Sequence, residues 1–254
     1  MNRLISGTVL FALLVNPASA QSQGNPPAPA VKQKTARSFT ERLLKFLGIS
    51  ASPSTFKGPG DEVVTGDVWL ADLESKTTRA LTILGGYRSP IFLSGSNDIL
   101  ALRGTDVMRI ASGGGDGRKL YSVDGIAKLV GCSSEDRNQA VVLLRGETDG
   151  RPRVGVLTIS TGATIVMPYD VSSGQDRQMV ESLQGWTRTY GDRELYVEGQ
   201  SKEAFSGTAE WTDVFLKSGN AKPVDVSQCD GTNCGQPSLS ENKRSVVFVK
   251  SGDK

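Results

Sequence analysis

Near its C-terminus the chain reads Pro237-Ser238-Leu239-Ser240-Glu241-Asn242-Lys243-Arg244-Ser245-Val246-Val247-Phe248, a turn followed by an apolar strand. Much earlier it reads Gly66-Asp67-Val68-Trp69-Leu70-Ala71-Asp72-Leu73 and then Arg79-Ala80-Leu81-Thr82, which is the other half of the same unit. Imperfect copies of the whole unit lie between these halves. Because the chain opens with the second half of a repeat and closes with the first, its ends can complete one sheet. The sequence therefore predicts an all-β fold, a closed ring of small sheets called a β-propeller.

Each copy contains three pieces, and the copies follow one another at intervals of about 40 to 55 residues, as propeller blades do. The strand after the turn recurs at Ile99–Leu102, Val141–Leu144, Leu195–Val197 and Val246–Val249. The next strand recurs at Asp67–Leu73, Asp106–Ala111, Val154–Ser160 and Thr212–Lys217. The third piece recurs at Arg79–Thr82, Arg118–Leu120, Ala163–Met167 and Ala221–Val226.

These pieces add up to about four blades. The joined ends form one blade, and residues 90–120, 127–168 and 182–226 form three more. Two alternatives to a ring of four stay open at this stage. Residues 170–181 and 199–211 could hold further strands, or the ring could be open, with an exposed strand edge that needs a partner.

The repeat resembles that of the TolB-like β-propellers, a family with WD-type propeller repeats. The family pattern has a Pro-led Ser-Pro-Asp-Gly-Lys turn, an apolar strand ending in Phe, a Trp- or Tyr-containing strand ending in Asp, and an Arg-x-Leu-Thr segment. The matching residues are Pro237, Ser240, Asn242, Arg244 and Phe248 in the first half, and Trp69, Asp72, Arg79, Leu81 and Thr82 in the second. The inner copies depart from it, because Ser94–Asn97 replaces the turn and Trp186 stands where the proline belongs. The resemblance covers residues 61–254 and implies the fold, usually with six blades, but no particular activity.

Residues 1–20 have the features of a cleaved secretory signal peptide. Arg3 provides the positive charge, Val9–Val15 forms a short apolar core, and Ala18-Ser19-Ala20 is a small-residue cleavage site. The apolar core is too short to span a bilayer, which takes about 20 residues. We therefore expect export to the periplasm, with no transmembrane segment left after cleavage.

Residues 21–35 are rich in Pro, Ala and Gln and predict a disordered linker, and residues 36–60 predict a short amphipathic helix with its connector. Ser38 and Glu41 fit a capping box at the start of this helix. Its apolar residues at helical spacing are Phe39, Leu43, Phe46 and Leu47. Two roles stay open for the helix. It either packs against the propeller or acts as a partner-binding helix that docks on another protein or a membrane surface.

The chain has three cysteines and no histidine. Cys229 and Cys234 flank a short polar turn, a spacing that favours a disulfide in an exported protein. A metal site is the alternative, and the lack of histidine disfavours it. Cys132 lies beside an apolar strand and is predicted to be a buried thiol. We expect neither a metal nor a cofactor.

Composition and motifs disfavour several other functions. The formal net charge is +2 without a basic stripe, which argues against a nucleic-acid partner. Because the chain has no histidine, it lacks the commonest general base. It also has no Gly-x-Ser-x-Gly hydrolase turn. Ser240 and Lys243 have Ser-x-x-Lys spacing but lie in the repeat turn. Gly113–Gly117 looks like a phosphate loop but lacks its lysine and helix.

We therefore predict an exported, non-enzymatic β-propeller scaffold that mediates protein–protein interaction in the periplasm or cell envelope, where its partner is an envelope or periplasmic protein. The alternative is a propeller enzyme or a lectin that acts on envelope carbohydrate or peptide. An enzyme would use carboxylates and tyrosines of the central channel. A lectin would use Trp69, Trp186 or Trp211, of which the repeat leaves Trp211 the freest.

Overall fold

The computed structural model of the protein describes residues 38–48, 56–57, 64–146, 151–204 and 207–252. The predicted signal peptide and linker lie outside these residues, as does most of the connector after the first helix. Across the described ranges, no helix has the length and apolar character that crossing a membrane requires.

The strands of the described residues form four antiparallel sheets, each of which is one blade. Blade 1 contains β16 (Cys234–Leu239), β17 (Ser245–Lys250), β2 (Asp67–Asp72) and β3 (Thr77–Ala80). Blade 2 contains β4 (Tyr87–Phe92), β5 (Ile99–Arg103), β6 (Asp106–Ile110) and β7 (Arg118–Ser122). Blade 3 contains β8 (Ile126–Cys132), β9 (Gln139–Leu144), β10 (Arg153–Thr158) and β11 (Thr164–Val166). Blade 4 contains β12 (Thr187–Tyr190), β13 (Arg193–Ala204), β14 (Gly207–Ser218) and β15 (Val224–Asp225), and β1 (Phe56–Lys57) pairs with the free edge of β12.

The two ends of the propeller share blade 1, as the split repeat predicts. Strand β17 runs antiparallel to β2, from Ser245 opposite Asp72 to Lys250 opposite Asp67. Strand β16 pairs with the other edge of β17, and β3 with the other edge of β2. The predicted four-bladed, all-β propeller is therefore confirmed.

The second strands of blades 1, 2 and 3, which are β17, β5 and β9, are mainly apolar because both of their faces are covered. In β5, Leu100 and Leu102 pack into a core shared with blade 3, whereas Ile99 and Ala101 pack into a core shared with blade 1. Successive side chains of a strand point to opposite faces, so a strand between two blades needs apolar residues at every position. This is why the run Val246–Val249 is buried throughout.

The described residues also form two helices, α1 (Phe39–Phe46) and α2 (Gly174–Ser182). The capping box of α1 is present as predicted, because the backbone N–H of Glu41 donates to Ser38 Oγ over 3.2 Å and the Ser38 N–H donates to Glu41 Oε2 over 3.3 Å. Phe39 and Leu43 are buried, in one core with apolar residues of blade 3 and α2. The first helix therefore packs against the propeller.

Residues 170–181, which could have held a further strand, contain the helix α2 instead. Ser173 caps this helix by accepting the backbone N–H of Asp176 over 3.3 Å. Met179, Val180 and Leu183 are buried in the core shared with α1. The sequence did not predict α2 because Met179 and Val180 are the only apolar residues within it, too few to show a helical period.

Residues 199–211 hold no extra blade either, because they extend the hairpin of β13 and β14 to strands of twelve residues. The far end of this hairpin is exposed, as at Lys202 and Glu210. Nearer the propeller, the rings of Tyr196 and Phe215 stack with centroids 5.7 Å apart. The ring is therefore one of four blades.

Candidate ligand cavity at the centre of the propeller

A cavity of about 690 Å³ lies where strands from all four blades converge. It is lined by the C-terminal parts of β4, β8 and β16, by β12, and by the turns that follow these strands. The end of α1 contributes Leu47 and Gly48. Its size falls within the range of about 300–1,000 Å³ that small-molecule and peptide side-chain pockets occupy.

The lining of the cavity divides into an apolar wall and a polar set. The apolar wall includes Ile91, Leu93, Val130, Leu239 and Leu47. The polar set includes Ser94, Ser134, Arg188, Thr189, Tyr190, Ser238, Ser240, Glu241 and Lys243. An apolar lining with a few placed polar groups is typical of binding sites.

The backbone is irregular at Ser89 of β4 and Gln236 of β16, and this irregularity bends both strands near the cavity. Each of these residues precedes a proline and has a positive φ, 52° at Ser89 and 56° at Gln236. The register of both strands shifts at these points. The Gln236 side chain joins the two strands, because its Oε1 accepts the Ser89 N–H over 2.5 Å and its Nε2 donates to the carbonyl of Val64. β-Bulges of this kind bend the strand and reorient the side chains that follow.

Arg188 is the least expected residue of the cavity. It lies in β12, between Leu195 of β13 and Phe56 of β1, and only 6% of it is exposed. Its Nε is buried and has no hydrogen-bond partner among the described residues. None of the ion pairs within the described chain involves it. An ionised side chain buried in this way costs several kcal/mol unless something compensates its charge.

A second buried cation holds the residues that precede β12. Lys128 of β8 donates from Nζ to the carbonyl oxygens of Gln184 over 2.9 Å and Gly185 over 2.6 Å. The same Nζ lies 3.4 Å from the ring centroid of Trp186, a favourable cation–π geometry. Because Trp186 is itself buried, blade 3 fixes the start of the strand that carries Arg188.

Two charged side chains of opposite sign lie at the exposed rim of the cavity. Glu241 accepts the backbone N–H of Gly95 through Oε2 over 3.2 Å. The backbone of Lys243 is held by Arg193, whose Nη1 donates to the Lys243 carbonyl over 2.6 Å. With Arg188 inside, the charged groups among the described residues that line the cavity are two cations and one carboxylate.

Cys132 also lines the cavity, and it is a free thiol. Burial raises the pKa of this thiol to about 11, against a smaller opposing effect of a backbone hydrogen bond to Ser94. The thiol therefore stays protonated at neutral pH and has little nucleophilic character. Across the residues that the structure describes, no group of three or more Cys, Asp or Glu side chains could hold a metal ion.

The structure places the other predicted site residues as follows. Cys229 and Cys234 form a disulfide, as predicted. Ser240 Oγ accepts the backbone N–H of Ser245 over 2.9 Å, so it is engaged in the repeat turn. Trp211 is half-buried and donates from Nε1 to Asp213 Oδ2 over 2.7 Å.

The proposed partner-binding residues of α1 lie in two environments. Phe39 and Leu43 face the propeller core, Phe46 is partly buried against the same core, and Leu47 contributes to the cavity. Contact of this helix with a partner stays a prediction.

Arg188 was not among the predicted site residues, although Trp186, two residues before it, departs from the repeat pattern. One signal was available. The strand that precedes the repeat turn lines the centre of a propeller, where a charged residue is unusual, but Arg88 of β4 and Lys128 of β8 share this feature, so it does not single out Arg188.

Comparisons with known proteins add little to this description. No family model matches the chain, and no curated protein matches it. Among solved structures, the chain is similar to a serine-to-alanine variant of the AtxE2 isopeptidase with Astexin3-dC4 bound, at 12% identity and a TM-score of 0.28. The match covers 76% of this chain and 42% of the isopeptidase chain. A likeness this weak carries no argument about function.

Proposed function

We propose that the protein is a non-enzymatic β-propeller that, after export, binds an envelope or periplasmic protein at the face where the central cavity opens. The observation that carries the proposal is the convergence of four blades on a cavity whose buried cation, Arg188, has no partner among the described residues. A propeller is a rigid frame that brings residues from distant parts of the chain to one surface, which suits a scaffold role.

Two further features support a binding role over catalysis. The carboxylate among the described lining residues, Glu241, lies at the exposed rim, whereas hydrolysis of glycosides by carboxylates takes a pair of them flanking the bond. The cavity thiol of Cys132 is protonated at neutral pH because burial raises its pKa.

Site-specific photocrosslinking tests the proposed face. The photoreactive residue p-benzoylphenylalanine is placed at Glu241 on the cavity rim, at Lys45 on the exposed side of α1, and at Arg118 on the outermost strand of blade 2. We expect position 241 to yield one adduct of constant mass after irradiation in intact cells, and position 118 to yield none.

The three positions separate the possible outcomes. Adducts from position 45 without adducts from position 241 would move the partner surface to α1. Equal adducts from positions 241 and 118 would overturn the proposal. Export is tested separately by the intact mass of the purified protein, which is expected to begin at Gln21.

A further inference from the structure

We propose that Arg188 binds a carboxylate group of the partner inside the central cavity, with an apolar group of the same partner against the cavity wall. This inference rests on the proposed function, since it names the chemistry by which that face recognises its partner. The ligand is thus a carboxylate next to an apolar side chain, as at the C-terminus of a polypeptide that ends in an apolar residue.

The need for an anion follows from the surroundings of Arg188. A guanidinium keeps its charge in proteins, and one that is buried must be compensated by acceptors or an opposite charge. Arg88, on the corresponding strand of blade 2, shows how this chain meets that need, because its guanidinium donates to the carbonyl oxygens of Gly104, Ile126 and Ala127. The guanidinium of Arg188 makes no such hydrogen bond among the described residues, yet it lines a cavity. The acceptor it lacks is therefore expected to come from a ligand.

The charges around the cavity favour a carboxylate over a phosphate. Arg188 and Lys243 carry two positive charges and Glu241 one negative charge, so the described part of the lining has a net charge of about +1. A carboxylate balances this charge, whereas a doubly charged phosphate would leave an excess negative charge beside Glu241. The planar fork of a guanidinium also matches the two oxygens of a carboxylate.

The apolar wall of the cavity indicates the second part of the ligand, an apolar group. Ile91, Leu93, Val130 and Leu239 form this wall, and all four side chains are at least nine-tenths buried. An apolar group that enters the cavity gains the usual benefit of leaving water. A bare small carboxylate cannot make this contact, so we expect it to bind much more weakly than one with an adjacent apolar side chain.

Titration calorimetry with defined probes tests the inference on the purified mature protein. The probe is N-acetyl-leucyl-phenylalanine, compared with its C-terminal amide, with acetate and with inorganic phosphate. We expect the free acid to bind at least tenfold more tightly than the amide, acetate or phosphate. The Arg118→Met variant, which removes an exposed arginine from the outer strand of blade 2, is expected to behave as the wild type.

Two substitutions at the site complete the test. Arg188→Met is expected to keep or raise the melting temperature, because it replaces a buried charge that has no partner among the described residues with an apolar chain, and to abolish the preference for the acid over the amide. Arg188→Lys keeps the charge but loses the fork, and is expected to weaken binding of the acid about tenfold. The comparison of acid with amide in the wild type needs no variant, so it stands even if a substituted protein fails to fold.

Several results would overturn the inference. Equal binding of acid and amide would do so, as would phosphate binding more tightly than the acid. Acetate binding as tightly as the dipeptide would assign the site to a free small carboxylate rather than to a partner. The proposed function is tested separately, by the crosslinking experiment. If Arg188→Met keeps the adduct from position 241 and the wild type shows no preference for the acid, the partner surface stands and only the carboxylate assignment falls.

Discussion

Replacing Leu43 with alanine tests whether the first helix is part of the folded body or a segment that detaches to meet a partner. Leu43 is fully buried, in one core with Val130, Val141 and Met179. If the helix stays docked in solution, Leu43→Ala leaves a cavity between α1 and blade 3. If the helix is released, Leu43 makes no buried contacts, and the substitution should change the free energy of unfolding little.

The expected size of the effect follows from the atoms lost. Alanine lacks three of the carbon atoms of leucine, and at about 0.8 kcal/mol per buried CH₂ group the lost transfer free energy is about 2.4 kcal/mol. The cavity left behind adds to this, and buried Leu→Ala changes cost about 2 to 5 kcal/mol in total. We therefore expect the free energy of unfolding to fall by about 3 kcal/mol.

Equilibrium unfolding in urea measures this change, with Lys45→Ala as the control on the same helix. The ion pair between Lys45 and Glu135 is 2.8 Å long, but both side chains are more than half exposed, so its loss is expected to cost less than about 1 kcal/mol. If Leu43→Ala shifts the urea midpoint no more than Lys45→Ala does, the packing of α1 against the propeller is not maintained in solution. The partner-binding role of the helix would then gain support.

Three further predictions concern the cysteines and a tyrosine whose hydroxyl is buried. Substitution of Cys229 and Cys234 by serine opens a loop of six residues, and is expected to lower the free energy of unfolding by about 2 kcal/mol, measured by chemical denaturation. Burial raises the pKa of Cys132 to about 11, so native protein at pH 8 should react far more slowly with iodoacetamide than denatured protein does. Since this pKa is higher in the folded state, the contribution of Cys132 to stability is lost as the pH rises from about 9 to 11, and equal labelling rates at pH 8 would show that the thiol is exposed. Tyr121 has a buried hydroxyl without a partner among the described residues, so Tyr121→Phe should leave the melting temperature unchanged or raise it, and a clear drop would reveal a bonded hydroxyl.

Features that depend on neighbouring residues were predicted well. The capping box of Ser38 and Glu41 and the disulfide of Cys229 and Cys234 each involve groups a few residues apart. Such groups meet through the local backbone, so residue type and spacing suffice to predict them. The missed helix α2 is a local feature too, but Met179 and Val180 are its only apolar residues, whereas α1 has several at helical spacing.

The closure of the ring was also predicted, although it joins residues far apart in the chain. The split repeat made this possible, because Phe248 and Trp69 belong to strands that are neighbours in every complete copy. A repeat carries the information about distant pairing in its internal copies. Without the repeat, neither segment alone would have predicted the antiparallel pairing of β17 with β2.

The amino-acid sequence by itself thus predicts the blade, the helix cap, the disulfide and the pairing of the two ends of the propeller. Each of these features depends on residues close in sequence or on a repeated unit. The lack of a partner for Arg188 among the described residues is a different kind of fact. It depends on where Glu241, Lys243 and the walls of the cavity come to lie, and these groups are contributed by strands from four separate blades. Whether a charged side chain finds a partner is settled by distances of a few ångströms between such remote segments, and those distances exist only once the propeller has folded.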